Sequence, residues 1–292
     1  MDDDHTRVLA LGPVRHACHA CGSCCTGWGV RIANDDERER VTAYAQELGV
    51  DEPIVDGKLR QVDATCVFLG ADKLCRIHGR FGAEQKPLVC KLFPRRALRA
   101  EDGIRIGADP GCSSTWRTYA DGPELDLSAI PKPQLEAISA DLVGAERALV
   151  ALAGTAGMTV PRFAAVLSRE NEPEPRVFPT YFGLRLMTAV RGVASTLADP
   201  ENGPLLSRDL AKVVRYLHAF DPDGAGPLRI PVELDGMALE MMRRMLFLRL
   251  GDDSLPPIAQ CLIVLGGIVA CAQVEKRLST FGPALSAWSR VS

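Results

Sequence analysis

Cysteine placement constrains the fold of this chain more than any other feature of its sequence. Eight of the ten cysteines fall within the first 112 of 292 residues, and four of these lie in the run C-H-A-C-G-S-C-C at positions 18–25. Cysteines two residues apart in a turn can direct both thiolates at one metal, while the intervening backbone N–H groups hydrogen bond to the sulfurs. The front part of the chain is therefore predicted to fold around bound metal, which supplies part of its folding free energy.

All eight cysteines of the front part are candidate metal ligands. They are Cys18, Cys21, Cys24, Cys25, Cys66, Cys75, Cys90 and Cys112. Neighbouring side chains diverge by about 100° on a helix and point in opposite directions on a strand. Cys24 and Cys25 are therefore expected not to bind the same metal atom. Either the eight thiols serve two centres, or one 4Fe-4S cluster takes four of them and the others are structural or reactive thiols; we favour the second.

The cysteine array is compatible with both iron and zinc, because thiolates select both. A structural zinc site closes with four ligands, and the front part offers twice that number. Pro94 follows Cys90 closely, much as a proline often follows a cluster cysteine in ferredoxins. These observations favour an iron-sulfur cluster over zinc, and a thiol cluster without metal is the third alternative. The number of clusters is left open.

The net charge and the hydropathy of the chain limit the classes of partner and the cell compartment that are expected for it. A net charge of −3 and a pI near 6.0 provide no basic field for a phosphate backbone, so no nucleic-acid partner is expected. The first ten residues lack the basic and apolar regions of a secretory signal. A cytoplasmic protein is expected, in a compartment that does not maintain disulfides. Residues 258–274 are the most apolar stretch, and they are predicted to form a buried helix rather than a membrane span.

The front part contains one long periodic segment. A helix is predicted over residues 35–48, with Asn34 or Asp35 as its cap and Gly49 at its end. Short strands are predicted at residues 61–67 and 103–107. This part has few apolar runs, so a conventional core alone does not explain its folding.

The composition changes after an acidic, Pro-rich stretch at residues 121–133. Beyond it, apolar residues at three-and-four spacing predict six helices. These cover residues 134–152, 160–167, 181–197, 207–220, 231–250 and 256–278. The predicted fold is mainly α, with a Cys-rich α+β metal-binding module in residues 1–120 followed by an all-α helical domain in residues 121–292. Cys261 and Cys271 are expected in the helical core.

Three histidines lie within or beside the cysteine array. His16 and His19 flank the first cysteine, and we expect them at the surface or supporting the ligands, with metal ligation or proton transfer as the alternative. His78 follows Cys75 by three residues, and ligand and non-ligand roles are equally open for it.

The order and spacing of these residues resemble the CxxCxxCC cysteine-cluster family. The resemblance rests on the run at residues 18–25, on Cys66, on C-R-I-H at residues 75–78, on K-P-L-V-C-K-L-F-P at residues 86–94, and on Cys112. That family is described as zinc- or iron-chelating, and it includes YkgJ-type proteins and flagellin lysine-N-methylases. Lys86 stands where the family usually has arginine, and His78 where an aromatic residue is common.

Resemblance to the methylase members implies methyl transfer to protein lysines with S-adenosylmethionine as the donor. The residues themselves show neither the cysteine spacing of radical S-adenosylmethionine enzymes nor the glycine-rich loop of a Rossmann methyltransferase. The leading hypothesis is an iron-sulfur (4Fe-4S) protein that modifies a protein substrate by methyl transfer or a redox step. The alternative is a non-enzymatic zinc-binding module that interacts with a protein partner.

Overall fold

The computed structural model describes residues 7–26, 29–127, 140–169, 230–250 and 257–289. Their fold is mixed α+β, with helices in both halves and short strands in the front half. The predicted combination of helices with small strands in the front part is confirmed in this coarse form. The division into two domains near residue 120 stays a prediction.

A three-stranded sheet lies at the end of the front part. Strand β1 (Val8–Ala10) pairs in parallel with β7 (Gly103–Ala108), which also pairs antiparallel with β6 (Arg95–Ala100). The strand predicted at residues 103–107 is β7. Gly103 has a φ of 131°, and a Cβ there would overlap the carbonyl oxygen of Arg7, so only glycine fits where the two strands meet.

Two small antiparallel hairpins precede this sheet. The first pairs β2 (Ile54–Val55) with β3 (Lys58–Leu59), and the second pairs β4 (Gln61–Val62) with β5 (Thr65–Cys66). The second replaces the single strand predicted at residues 61–67. Its chain reverses at Asp63 and Ala64, whose φ values of 48° and 57° are left-handed.

Four α-helices are described in the front part. Helix α1 (Asp35–Glu47) begins after Asn34, whose side chain accepts a hydrogen bond from the Glu37 N–H, and Gly49 follows it in a left-handed conformation, as predicted. The other three are short. They are α2 (Arg76–Phe81), α3 (Leu88–Leu92) and α4 (Ser113–Thr118).

Five helices are described in the second half. They are α5 (Ala140–Ala153), α6 (Val160–Ser168), α7 (Val232–Phe247), α8 (Pro257–Val274) and α9 (Leu278–Ser289). The helices predicted at residues 160–167 and 231–250 are confirmed, as is the described part of the helix at 134–152. The segment predicted as one helix over residues 256–278 belongs instead to α8 and the start of α9. The helices predicted at residues 181–197 and 207–220 lie outside the described residues.

The larger core lies between α5, α7, α8 and α9. Cys261 and Cys271 are buried in α8, as expected. Within the described residues, none of the helices is both apolar and long enough to span a bilayer. Trp116 of α4 also belongs to this core, so the polypeptide that follows Cys112 packs directly on the helical half.

A buried ion-pair network joins the sheet to the helices. Arg105 of β7 is only 1% exposed and donates to Glu146 of α5 at 2.7 Å, to the Phe247 carbonyl at 3.2 Å and to Asp102 at 3.0 Å. Arg249 forms a second ion pair with Glu146 at 3.2 Å. The cysteine-rich part and the helical half are thus held together by charge as well as by apolar contact.

Candidate metal centre

All eight front cysteines line a single cavity of about 390 Å³. Every one of them is a free thiol. Four come from the loop at residues 18–25, and the others come from β5, the starts of α2 and α4, and the interior of α3. Five segments, separated along the chain, therefore bring the cysteines to one place.

The loop at residues 18–25 depends on a left-handed glycine. Gly22 has a φ of 72° and precedes a 3-10 turn over Ser23–Cys25, in which the Cys25 N–H donates to the Gly22 carbonyl at 2.9 Å. A Cβ at Gly22 would lie 3.3 Å from the Cβ of Lys73, so the loop packs tightly on the turn that precedes Cys75. This contact holds the run of four cysteines against the rest of the cavity.

The adjacent sulfurs of Cys24 and Cys25 lie 3.9 Å apart. The prediction that these side chains diverge is wrong, because it assumed ideal α-helix or strand geometry, whereas both residues lie in a 3-10 turn. The edge of a tetrahedral metal-thiolate site is about 3.8 Å long for metal–sulfur bonds of about 2.3 Å. The pair is therefore spaced as two ligands of one metal atom would be.

The inner wall of the cavity is part of the smaller hydrophobic core. Cys66 is buried there beside Phe68 and Ile77, and Cys25, Cys75 and Cys90 pack against the same cluster. Apolar packing thus positions thiols from four separate segments.

Glu37 connects helix α1 to the segment that carries Cys90. Its carboxylate is 3% exposed and accepts from the Leu88 N–H at 2.6 Å and from the Ala33 N–H at 2.7 Å. Leu88 is the first residue of α3, so Glu37 sets the position of the helix that carries Cys90. Sequence reasoning missed this residue, although the pattern Asn34-x-x-Glu37 at a helix start is a capping-box signal.

Cys112 lies directly before α4 and next to a histidine. The Nε2 atom of His16 is 3.4 Å from the Cys112 sulfur. Burial lowers the pKa of His16 to about 4, with smaller contributions from His19 and Arg95. The imidazole is therefore neutral at physiological pH, which is the form that binds metals.

Burial keeps several of the cavity thiols protonated. It raises the pKa of Cys66 to about 11 and that of Cys90 to about 12, and it raises the pKa of Cys112. Hydrogen bonding with Cys25 raises the pKa of Cys24. The metal-free cavity consequently holds neutral thiols, which a metal must deprotonate on binding.

Basic side chains balance the charge that thiolates would carry. Lys73, Lys86, Arg95 and Arg96 all line the cavity. Lys86 lies close enough to favour the thiolate forms of Cys24 and Cys90 electrostatically. Lys86 therefore supplies positive charge at the site.

The thiols surround the cavity without closing on a single point. Among the described residues, no three His, Cys, Asp or Glu side chains are grouped closely enough to hold one ion. The sequence prediction that all eight cysteines act as ligands stays a prediction, although the structure brings all eight to one cavity. His16 and His78 also line it, whereas His19 is exposed.

Comparisons with known proteins agree with this arrangement. Residues 17–112 match the sequence model of the CxxCxxCC family, described as a "putative zinc- or iron-chelating domain". An uncharacterized protein of Methanocaldococcus jannaschii is 32% identical over 95 residues, which are 32% of this chain and 34% of that protein, so the similarity spans about a third of its length. No solved structure matches. The matched segment, residues 17–112, contains all eight cavity cysteines.

Proposed function

We propose that this chain binds a 4Fe-4S cluster in the cysteine-lined cavity and uses it, in the cytoplasm, to modify a protein substrate by methyl transfer or a redox step. The observation that carries the proposal is the convergence of eight free thiols on one cavity of about 390 Å³. The family description supports metal binding by the same residues.

The spacing of the thiols favours a cluster over a single zinc ion. A structural zinc ion draws four ligands into one tetrahedron, whereas each thiolate of a 4Fe-4S cluster binds a different iron. The described residues hold no group of three side chains around one point, and the thiols are distributed around the cavity walls. The donor set, which is cysteine sulfur throughout the array, suits iron-sulfur ligation.

Cys24, Cys66, Cys75 and Cys90 form the ligand set we favour for the cluster. The pKa values of Cys66 and Cys90 are both raised further by the charges of Cys24 and Cys75, so the four thiols lie within electrostatic reach of one another. Lys86 supplies compensating charge to two of them. When bound, such a cluster supplies one-electron transfer.

The outer side of the cavity is open to a substrate. Cys18 and Cys24 are exposed, and Leu74 and Val89, which line the cavity, are 46% and 44% exposed. Exposed apolar side chains beside a reactive group offer contact to a protein segment. A macromolecular substrate therefore suits this opening, and the methylase members of the family suggest a lysine-bearing protein.

The test is anaerobic purification followed by absorbance spectroscopy with iron and acid-labile sulfide analysis. We expect sulfur-to-iron charge-transfer absorption, with iron and sulfide in equal amounts. Colourless protein with stoichiometric zinc and no sulfide would instead favour the non-enzymatic zinc-binding interaction module. For the cluster-loaded protein, calorimetric titration with S-adenosylmethionine separates methyl transfer from a purely redox role.

A further inference from the structure

One histidine faces the cysteine cavity at ligand distance from a thiol. His16 is half-buried and lines the cavity, and its Nε2 atom lies 3.4 Å from the Cys112 sulfur. The geometry points to His16 and Cys112 as two ligands of one metal atom, which gives the cavity a mixed nitrogen and sulfur ligand set. This inference rests on the proposed function only in requiring that the cavity binds metal.

The distance is that of a ligand pair. For metal–sulfur and metal–nitrogen bonds of about 2.3 and 2.05 Å, a tetrahedral angle places the two donor atoms about 3.6 Å apart. The observed separation agrees with that edge to within a few tenths of an ångström. A metal atom can therefore enter between the two side chains with little rearrangement of either.

The backbone on both sides of His16 is fixed to the element that carries Cys112. The His16 N–H donates to the Pro123 carbonyl at 3.0 Å, and the Ala17 N–H donates to the Thr118 hydroxyl at 3.2 Å. The His19 N–H donates to the Ser114 hydroxyl at 3.1 Å. Because Ser114 and Thr118 belong to α4, which begins directly after Cys112, the imidazole and the thiol are held in register.

This pair is separate from the other preformed pair in the cavity. Cys24 and Cys25 make a sulfur–sulfur edge of 3.9 Å, yet no group of three potential ligands is found among the described residues. His16 and Cys112 therefore form a donor pair of their own within the cavity. His16 lies one residue before the segment that matches the family model, so the family pattern does not include it.

The test uses Co²⁺ as a probe, because its spectrum reports sulfur and nitrogen ligands directly. Metal-free protein is titrated anaerobically with Co²⁺, and pulsed EPR is recorded on wild-type protein with ¹⁵N-labelled histidine. We expect a strongly coupled histidine nitrogen that is lost in His16→Ala and retained in His19→Ala, whose side chain is exposed. Co²⁺ affinity should fall by about tenfold or more in His16→Ala.

His16→Cys keeps a donor at the position and guards against a simple folding failure. It should still bind Co²⁺, lose the nitrogen coupling and gain thiolate-to-cobalt charge-transfer intensity. The inference is overturned if wild-type protein shows no strongly coupled histidine nitrogen, or if that coupling survives in His16→Ala. Co²⁺ binding needs neither iron nor sulfide. Absence of an iron-sulfur cluster would therefore refute the proposed function, while the Co²⁺ experiment would still decide whether His16 and Cys112 bind one metal atom.

Discussion

At the residue scale, Cys66 and Cys90 hold their protons more firmly than a thiol in water does, because burial raises the pKa of both. The pKa values of Cys66 and Cys90 are about 11 and about 12, whereas an unperturbed thiol titrates near 8.5. The neutral thiol is thus the favoured form in the folded, metal-free protein. Its contribution to stability is present below the unfolded pKa and is lost as pH rises through 11 to 12.

Metal binding should therefore release protons and weaken as the pH falls. Each thiol that becomes a ligand gives up one proton, so a site with four cysteine ligands releases about four protons per metal centre at neutral pH. Titration of metal-free protein with Zn²⁺ in weakly buffered solution, followed with a pH indicator, measures this number. Release of fewer than about two protons per metal would show that most cavity thiols do not ligate.

Two buried cysteines provide a matched test of which thiols bind metal. Cys66 lies in the cavity and Cys261 lies in the core of α8, and burial raises the pKa of both. We expect Cys66→Ala to lose most of the bound metal, because it removes a cavity thiol. Cys261→Ala should keep the full metal content, since this thiol only packs. Metal analysis after anaerobic purification compares the metal content of the two variants. Equal metal content in both would contradict the proposed ligand set.

At the element scale, Glu37 determines where α3 and its cysteine lie. Glu37→Ala removes two hydrogen bonds from a buried carboxylate to the N–H groups of Leu88 and Ala33. Hydrogen bonds to charged groups contribute about 1.5 to 3 kcal/mol each, so a loss of about 3 to 6 kcal/mol in unfolding free energy is expected for the two. Because α3 carries Cys90, metal affinity should also fall, as measured by competition with a chelator.

The exposed neighbour Glu39 is the control for this substitution. It lies on the same helix, and Glu39→Ala should change the unfolding free energy by no more than about 0.5 kcal/mol. Metal affinity should be unchanged. If Glu37→Ala keeps wild-type metal affinity despite lower stability, α3 is positioned by its apolar contacts and not by Glu37.

Local signals predicted the elements well where their ends are marked in the sequence. Asn34 and Gly49 mark the ends of α1, and both act as predicted. The apolar spacing of residues 256–278 predicts one helix, although Lys276 and Arg277 interrupt it before α9 begins. The hairpin at β4 and β5 was missed because Asp63 and Ala64 adopt left-handed φ values that their residue types do not require.

At the scale of the whole molecule, the sequence predicted that the cysteines would come together but not how. Spacing along the chain indicated shared metal chemistry, yet the positions of Cys66 and Cys112 depend on a hairpin and on α4 packing against the helical half. Contacts across such separations come from tertiary packing, which motif spacing does not encode. The pairing of His16 with Cys112 is of the same kind, because it depends on hydrogen bonds between residues about 95 positions apart.

The junction of sheet and helices depends on Arg105 in the same long-range way. Arg105→Met removes one ion-pair partner of Glu146, which is buried with 0% exposure. The ion pair of Glu146 with Arg249 remains. Breaking a buried ion pair from one side costs about 3 to 5 kcal/mol, because the remaining charge stays desolvated. Urea unfolding should show a loss of this size, and the sheet should separate from the helical half before the larger core melts.

A surface ion pair provides the comparison. Arg80 and Glu47 lie 2.8 Å apart but are 65% and 49% exposed, so Arg80→Ala should cost no more than about 1 kcal/mol. Replacing the buried network as a whole, by Arg105→Met, Glu146→Leu and Arg249→Met together, should recover part of the loss, because no charge is then left unpaired among these three. If the single Arg105 substitution proves as mild as Arg80→Ala, the two halves are joined by apolar packing around Trp116, and the ion pairs contribute little.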